Sequence, residues 1–249
     1  MTGRAVRPIV RSLQTNILYG RVVQFKALRR LWVSTLFNGV GSMGEVVVLG
    51  WILLEMTNSA FMVGLGLGLR MAPNFFLGIV AGVIADRADR LILMKLMPLG
   101  IATICTALGF LIATDRMTLW HLLILTVMSG SLRLLDSTTR NSFTYDVAGP
   151  TMIVSSLAFI NLGMRVGGIA GSVIAGYAVG KLGSEWAYFM MASGYVLSVI
   201  PLFLIHSRGQ AAPVSRKPVW QNLQEFGAEI RRNSTLRIVF LFVAMAEML

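Results

Sequence analysis

The sequence predicts an all-α membrane protein, a bundle of six transmembrane helices followed by the start of a seventh. Three observations carry this reading. Only 13% of the 249 residues are charged and 55% are hydrophobic, whereas an ordinary soluble domain is about a quarter charged. The apolar residues gather into runs of about 20, the length that crosses about 30 Å of hydrocarbon at about 1.5 Å per residue. Those runs are apolar all round, with no alternation of period two, which favours helices over barrel strands.

Taken in order, the first element is a basic segment, residues 1–30, carrying Arg4, Arg7, Arg11, Arg21, Lys26, Arg29 and Arg30. It has no continuous apolar stretch and no small-residue cleavage site, so it reads as a cytoplasmic N-terminus rather than a signal peptide. Six apolar spans follow within residues 31–205, at 31–54, 60–85, 91–113, 117–135, 152–179 and 186–205. The basic N-terminus, the turn Asp86 to Arg90, the segment Arg133 to Arg140 and the basic residues after Arg208 all fall on one side. That side is cytoplasmic by the positive-inside rule. The opposite connections contribute only Arg116 and Lys181. Residues 206–233 read as a cytoplasmic linker, in which Trp220, Leu223, Phe226 and Ile230 recur at near-helical spacing and predict a short interfacial helix. Residues 234–249 begin a seventh apolar run too short to cross, so a missing C-terminal half or second bundle is expected.

Other function classes find little support. The net charge of +11 is spread between apolar runs as a topology signal rather than gathered on a solvated nucleic-acid face. Cys105 is the sole cysteine, which excludes an intrachain disulfide. His121 and His206 stand far apart without a carboxylate or thiol at metal-ligand spacing, so no metal site or enzyme chemistry is expected. The alternating glycines Gly64, Gly66 and Gly68 lie inside an apolar span rather than after a strand, which fails the context a nucleotide-binding loop requires. No cofactor is implied.

Two patterns organise the bundle. Leu67-Gly68-Leu69-Arg70 resembles Leu162-Gly163-Met164-Arg165, which would relate the second and fifth spans as counterparts of opposite direction. After the second span comes Gly82-Val83-Ile84-Ala85-Asp86-Arg87-Ala88-Asp89-Arg90. This stretch resembles the Gly-x-x-x-Asp-Arg-x-Gly-Arg-basic motif that the major facilitator superfamily carries between its second and third helices. Asp89 replaces the usual glycine and Leu91 the basic residue. Leu28 to Trp32, Leu49-Gly50-Trp51, Asp136 to Phe143 and Gly227 to Arg237 are further similar to the superfamily branch of siderophore exporters and macrolide-efflux-like proteins. The proline usual in the fifth helix of that branch is absent around Arg165 to Gly171. The resemblance runs from about Phe25 to the end. It implies a twelve-helix transporter of two bundles, each a 3+3 inverted repeat, of which this chain supplies the first.

Candidate site residues fall into two sets. Gly82, Asp86, Arg87 and Arg90 form the motif, which fits either a solvated turn or, as the resemblance implies, a gate steadying one access state. Glu45, Arg70 and Arg165 lie about ten to fifteen residues inside their spans, where an ionisable group costs about 2.5–3.5 kcal/mol and tends to be functional. They fit mutual pairing that fixes packing, or a proton or substrate site with Glu45 as the acid. Arg133 and Lys95 sit nearer the cytoplasmic ends, within snorkelling reach. Gly163, Gly167 and Gly171 make a small-residue face suited to close packing or sliding. The expectation is a multi-pass inner (plasma) membrane transporter exporting a small-molecule substrate by proton antiport and alternating access. Its partners would be the lipid bilayer, the coupling proton and the second bundle. A non-transporting membrane scaffold or regulatory half-protein is the alternative.

Overall fold

The chain's computed structural model describes residues 25–205. Most of the basic N-terminus, the linker at 206–233 and the seventh-helix segment at 234–249 lie outside the described residues. Among the described residues every regular element is helical: α1 Lys26–Thr57, α2 Ala60–Arg87, α3 Arg90–Ala113, α4 Leu119–Lys181 and α5 Ser184–Phe203. All five are long and apolar enough to cross a membrane.

The helix ends follow local chemistry. Asn58 takes a left-handed conformation at the end of α1 and donates its N–H to Leu54 O at 2.8 Å, the usual way a helix closes its last carbonyls. Asp89 caps α3, its Oδ1 accepting from Leu91 N at 2.9 Å and Ile92 N at 3.2 Å. The residue that departs from the superfamily motif thus satisfies two N–H groups that a glycine would leave open. Thr118 caps α4 by accepting from His121 N.

A straight α4 of 63 residues would measure about 95 Å, three times the hydrocarbon thickness. It is not straight. Gly149 has φ 70° and ψ 173°, a conformation open essentially only to glycine, and Pro150 follows where its missing N–H costs nothing. The segment therefore consists of two arms, α4a (119–148) and α4b (150–181).

Contacts with α1 give the two arms opposite directions. Gly163, Gly167 and Gly171 of α4b lie against Trp32, Leu36 and Val40 of α1, so the two helices run parallel. On α4a the order reverses: Ser129 and Arg133 meet Glu45, Asp136 meets Asn38, and Arg140 meets Ser34. α5 is likewise antiparallel to α1, with Gly41 against Tyr195, Gly44 against Met191 and Arg30 bonded to Leu204 O. At Gly39, Gly167 and Gly171 an added Cβ would strike the facing backbone. Only glycine allows this approach.

The arm α4a corrects one expectation. Residues 136–148, left between the fourth and fifth predicted spans above, are helical. Their Ser, Thr and Asn content is poor in helix formers, but packing overrides propensity here. Thr139 and Thr144 return their hydroxyls to the carbonyls of Leu135 and Arg140 at 2.7 Å each, while Asp136, Thr139, Arg140, Phe143 and Thr144 are buried.

Two apolar cores hold the bundle. One gathers Val48, Leu49, Leu53, Ile101, Leu108, Leu122, Tyr188 and Met191; the other gathers Leu31, Leu91, Met94, Phe143, Ile160 and Leu202. On α1 and α4a the interval between them is polar, with Ser34, Thr35, Asn38, Ser42 and Glu45 facing Ser129, Asp136, Thr139 and Arg140, all buried. The outside is apolar, most of all on α2, which exposes Phe61, Phe75, Phe76 and Ile79. Such a surface suits lipid rather than water.

Candidate functional site

Glu45 stands at one end of the polar interval, about 18 Å from the Thr57 end of α1 at 1.5 Å per residue. Each of its oxygens is occupied. Ser129 donates to Oε1 at 2.8 Å. Oε2 accepts from Arg133 Nη2 at 2.6 Å and from the Tyr195 hydroxyl at 2.8 Å, and it lies 3.7 Å from Arg70 Nη2. Arg133 also donates to Tyr195 at 2.7 Å, which closes a triangle of arginine, tyrosine and glutamate. Ser42 joins the two guanidiniums: its carbonyl accepts from Arg70 at 2.9 Å and its hydroxyl from Arg133. Four segments, α1, α2, α4a and α5, thereby converge on one carboxylate.

The charges do not cancel. Glu45 and Arg70 are 3% and 4% exposed, and one carboxylate beside two guanidiniums leaves a formal surplus of +1. Buried charge in the bundle interior is costly unless paired, and removing one partner of such a pair typically costs about 3–5 kcal/mol. The arrangement can hold an anionic group, and it can exchange partners if Glu45 takes up a proton.

A second cluster lies about 10 Å further along α1, seven residues from Glu45. Asp136 Oδ2 accepts from Asn38 at 3.1 Å and from Arg140 Nε at 2.8 Å. Arg140 reaches back to Ser34 Oγ at 2.9 Å and Thr35 Oγ1 at 3.4 Å.

The motif residues form a third cluster where α2, α3 and α4a meet. Arg90, nearly buried, donates to Asp86 at 3.2 Å, to Ala85 O at 3.2 Å and to Ser142 O at 3.4 Å, and it pairs with Asp146. Asp86 is half exposed. Arg87 is exposed, and Gly82 has open space where a side chain would begin. Asp146 therefore joins Asp86 on the arginine that the motif supplies.

Of the residues singled out from sequence, the structure brings Glu45 and Arg70 together and leaves Arg165 apart, exposed on α4b. Arg133 is the second guanidinium beside Glu45, approaching it from α4a. Ser129, Asp136, Arg140, Asp146 and Tyr195 also belong to these clusters and were not among the sequence candidates. One signal marks most of them: Ser129, Arg133, Asp136 and Arg140 are spaced four, three and four residues apart, a single helix stripe.

At the other end of the bundle, Trp51, Glu55, Asp115 and Glu185 line an open cavity of about 510 Å³. Glu45 is not in its wall. No group of histidine, cysteine and carboxylate side chains suited to a metal ion occurs among the described residues.

Comparison with known proteins agrees with this architecture. A family described as transmembrane secretion effector matches residues 22–242. The enterobactin exporter EntS of Shigella boydii serotype 4 is 29% identical over 149 residues, 59% of this chain and 35% of that protein. The enterobactin exporters of Shigella flexneri and of Escherichia coli O1:K1 are also 29% identical over 149 residues, covering 36% and 35% of their lengths. The matched stretch thus spans about a third of these relatives. With nearly its whole length inside the family match and five apolar helices of membrane-crossing length, this chain belongs to the transmembrane secretion effector family of the major facilitator superfamily.

Proposed function

We propose that this chain is the first bundle of a secondary transporter that exports a small molecule by alternating access, driven by the proton gradient. In this reading it crosses the membrane six times, with α4a and α4b as separate crossings and both ends of the bundle cytoplasmic. The two sets of three helices are related as an inverted repeat. Residues 206–233 link it to a second bundle beginning near residue 234, and the N-terminal segment stays in the cytoplasm.

The observation that carries the proposal is the Glu45 cluster. A carboxylate of α1 held by groups from three other helical segments is a point where one proton changes many contacts. With Glu45 ionised, Arg70, Arg133, Ser129 and Tyr195 draw α1, α2, α4a and α5 together. With Glu45 protonated, the ion pairs lose their attraction and the helices they join are released. A proton and a cationic or hydrogen-bond-donating group of the cargo then compete for the same carboxylate. Exchange of one for the other across two access states is antiport. The Arg90 cluster, with Asp86 half exposed at its rim, is the gate that favours one of those states.

Enterobactin, which the relatives' name says they export, is the first cargo to test. Inside-out vesicles carrying the full-length protein should accumulate it when a pH gradient is imposed, and a protonophore should abolish the accumulation. Uptake indifferent to the gradient would refute proton coupling. Absence of uptake at verified membrane abundance would refute enterobactin as the cargo.

A further inference from the structure

We propose that Asp136 is a second proton-carrying carboxylate, set in series with Glu45 along the α1–α4a seam. The inference deepens the proton-coupled reading above and rests on it.

The seam is built from two facing stripes. α4a contributes Ser129, Arg133, Asp136 and Arg140; α1 contributes Glu45, Ser42, Asn38, Thr35 and Ser34 in the opposite order. Asp136 lies between Glu45 and the Arg90 cluster, ten residues from Asp146 on its own helix, about 15 Å of rise. Acidic side chains therefore recur along the seam from the bundle centre to one of its ends.

The two buried carboxylates are bonded differently. Both donors to Asp136, Asn38 and Arg140, fall on Oδ2. Its other oxygen, Oδ1, is buried without a hydrogen-bond partner, as is Nη2 of Arg140. Asp136 and Arg140 are only 3% and 5% exposed. An unpaired buried polar atom typically costs about 1–3 kcal/mol and calls for a reason. A proton on Oδ1 supplies one. It turns a lone acceptor into a donor and displaces neither bond on Oδ2. A water between Oδ1 and Arg140 Nη2 would satisfy both atoms and bring the proton to the site. At Glu45 both oxygens already accept, and a proton there weakens the ion pairs with Arg133 and Arg70.

The surroundings fit a single transferable proton. On its own helix Asp136 has Arg140 and, one turn toward Glu45, Arg133 as the charged groups. α1 presents Asn38, Ser34 and Thr35, none of which titrates. Lys95 of α3 is turned to the Phe203 ring of α5 at 4.5 Å. In the transfer the O–H bond at Glu45 breaks, water in the seam carries the proton past Ser42 and Asn38, and an O–H bond forms at Asp136 Oδ1. The proton then passes to water at the Arg90 end, and the Asp136 carboxylate is restored.

The test is pH-difference infrared spectroscopy of the full-length protein in lipid, which reads the C=O stretch of protonated buried carboxyl groups. Wild type should show two such bands. Asp136→Asn should remove one, Glu45→Gln the other, and Asp136→Glu should shift the first without removing it. Because Asp136→Asn strips Arg140 of its counter-charge, the paired Asp136→Asn/Arg140→Gln variant is measured alongside and should lose the same band. A signal unchanged by both Asp136 variants and abolished by Glu45→Gln overturns the proposal. Transport separates this inference from the reading beneath it. Asp136→Asn should lower gradient-driven accumulation by about a hundredfold, the usual worth of a positioned acid–base group, while exchange without a gradient persists. Accumulation equal to wild type overturns the second site and leaves coupling at Glu45 standing. A wild type with no gradient-driven accumulation overturns both.

Discussion

Replacing Gly167 by alanine should force α1 and α4b apart, and the size of the effect follows from what the new methyl group meets. A Cβ at position 167 would collide with Leu36 O and stand 2.8 Å from the Leu36 carbonyl carbon and 3.1 Å from its Cα. Ordinary contact begins near 3.4 Å, so the carbonyl carbon alone requires a separation of about 0.6 Å and the closer Leu36 O requires more. Backbone cannot rotate aside as a side chain would. Overpacking of this kind costs about 1–3 kcal/mol, which for a domain of this size lowers Tm by about 2–12 °C. Gly171→Ala, whose Cβ would stand 2.7 Å from Val40 Cα, should behave alike. The double variant should cost less than the sum, since one displacement relieves both clashes. Gly176 and Gly180 have open space where a Cβ would go, so alanine there should leave Tm unchanged or raise it slightly by helix propensity. Cys105, the sole cysteine, is fully buried and serves as the reporter: a fluorogenic thiol dye reacts with it only on unfolding. Equal losses of Tm at Gly176→Ala and Gly167→Ala would refute the close-packed seam.

Asp89→Ala removes the cap of α3 and should cost about 1 kcal/mol, whereas Asp89→Gly should cost only a few tenths; the same dye assay reads both. Asp86→Asn breaks a half-exposed i,i+4 pair and should change stability by less than about 0.5 kcal/mol, yet in the full-length protein it should impair transport well beyond any loss of abundance. Transport at wild-type level would return Asp86 to the role of a solvated turn. For topology, single cysteines in a Cys105→Ser background should label from outside at Ser59 and Lys181 and only from the cytoplasm at Tyr145. The reverse pattern would reject the proposed orientation.

The sequence marked α1, α2, α3 and α5 clearly because each is an apolar run closed by charge, turn or cap. Asp86 and Asp89 bound one side of the α2–α3 connection and Asn58 the α1–α2 turn. Residues 136–148 escaped because hydropathy sees Asp, Ser, Thr, Arg and Asn there, and only contacts with α1 and α3 make that stretch helical. Glu45 was legible as a deep acid, since no other carboxylate interrupts a predicted span so far from its ends. Its partners were not. Arg70 and Arg165 occupy matching positions in similar tetrapeptides, and nothing local says that one is buried and the other faces outward. Arg133 lies 88 residues from Glu45 in sequence, so only the antiparallel packing of α4a on α1 brings them together. The glycine face of α4b was readable from its four-residue spacing, because steric approach depends on the helix repeat and little else.

If proton movement at Glu45 drives cargo movement, Glu45→Gln uncouples the two. The substitution removes the charge while keeping the side chain's shape and its hydrogen-bonding oxygen, so Ser129 can still donate while Arg70 and Arg133 lose their carboxylate. Wild type and variant are compared at matched membrane abundance in vesicles, with accumulation under a pH gradient measured beside counterflow exchange without one. Glu45→Gln should abolish accumulation and retain exchange. Equal gradient-driven accumulation by the two proteins would contradict proton coupling at Glu45.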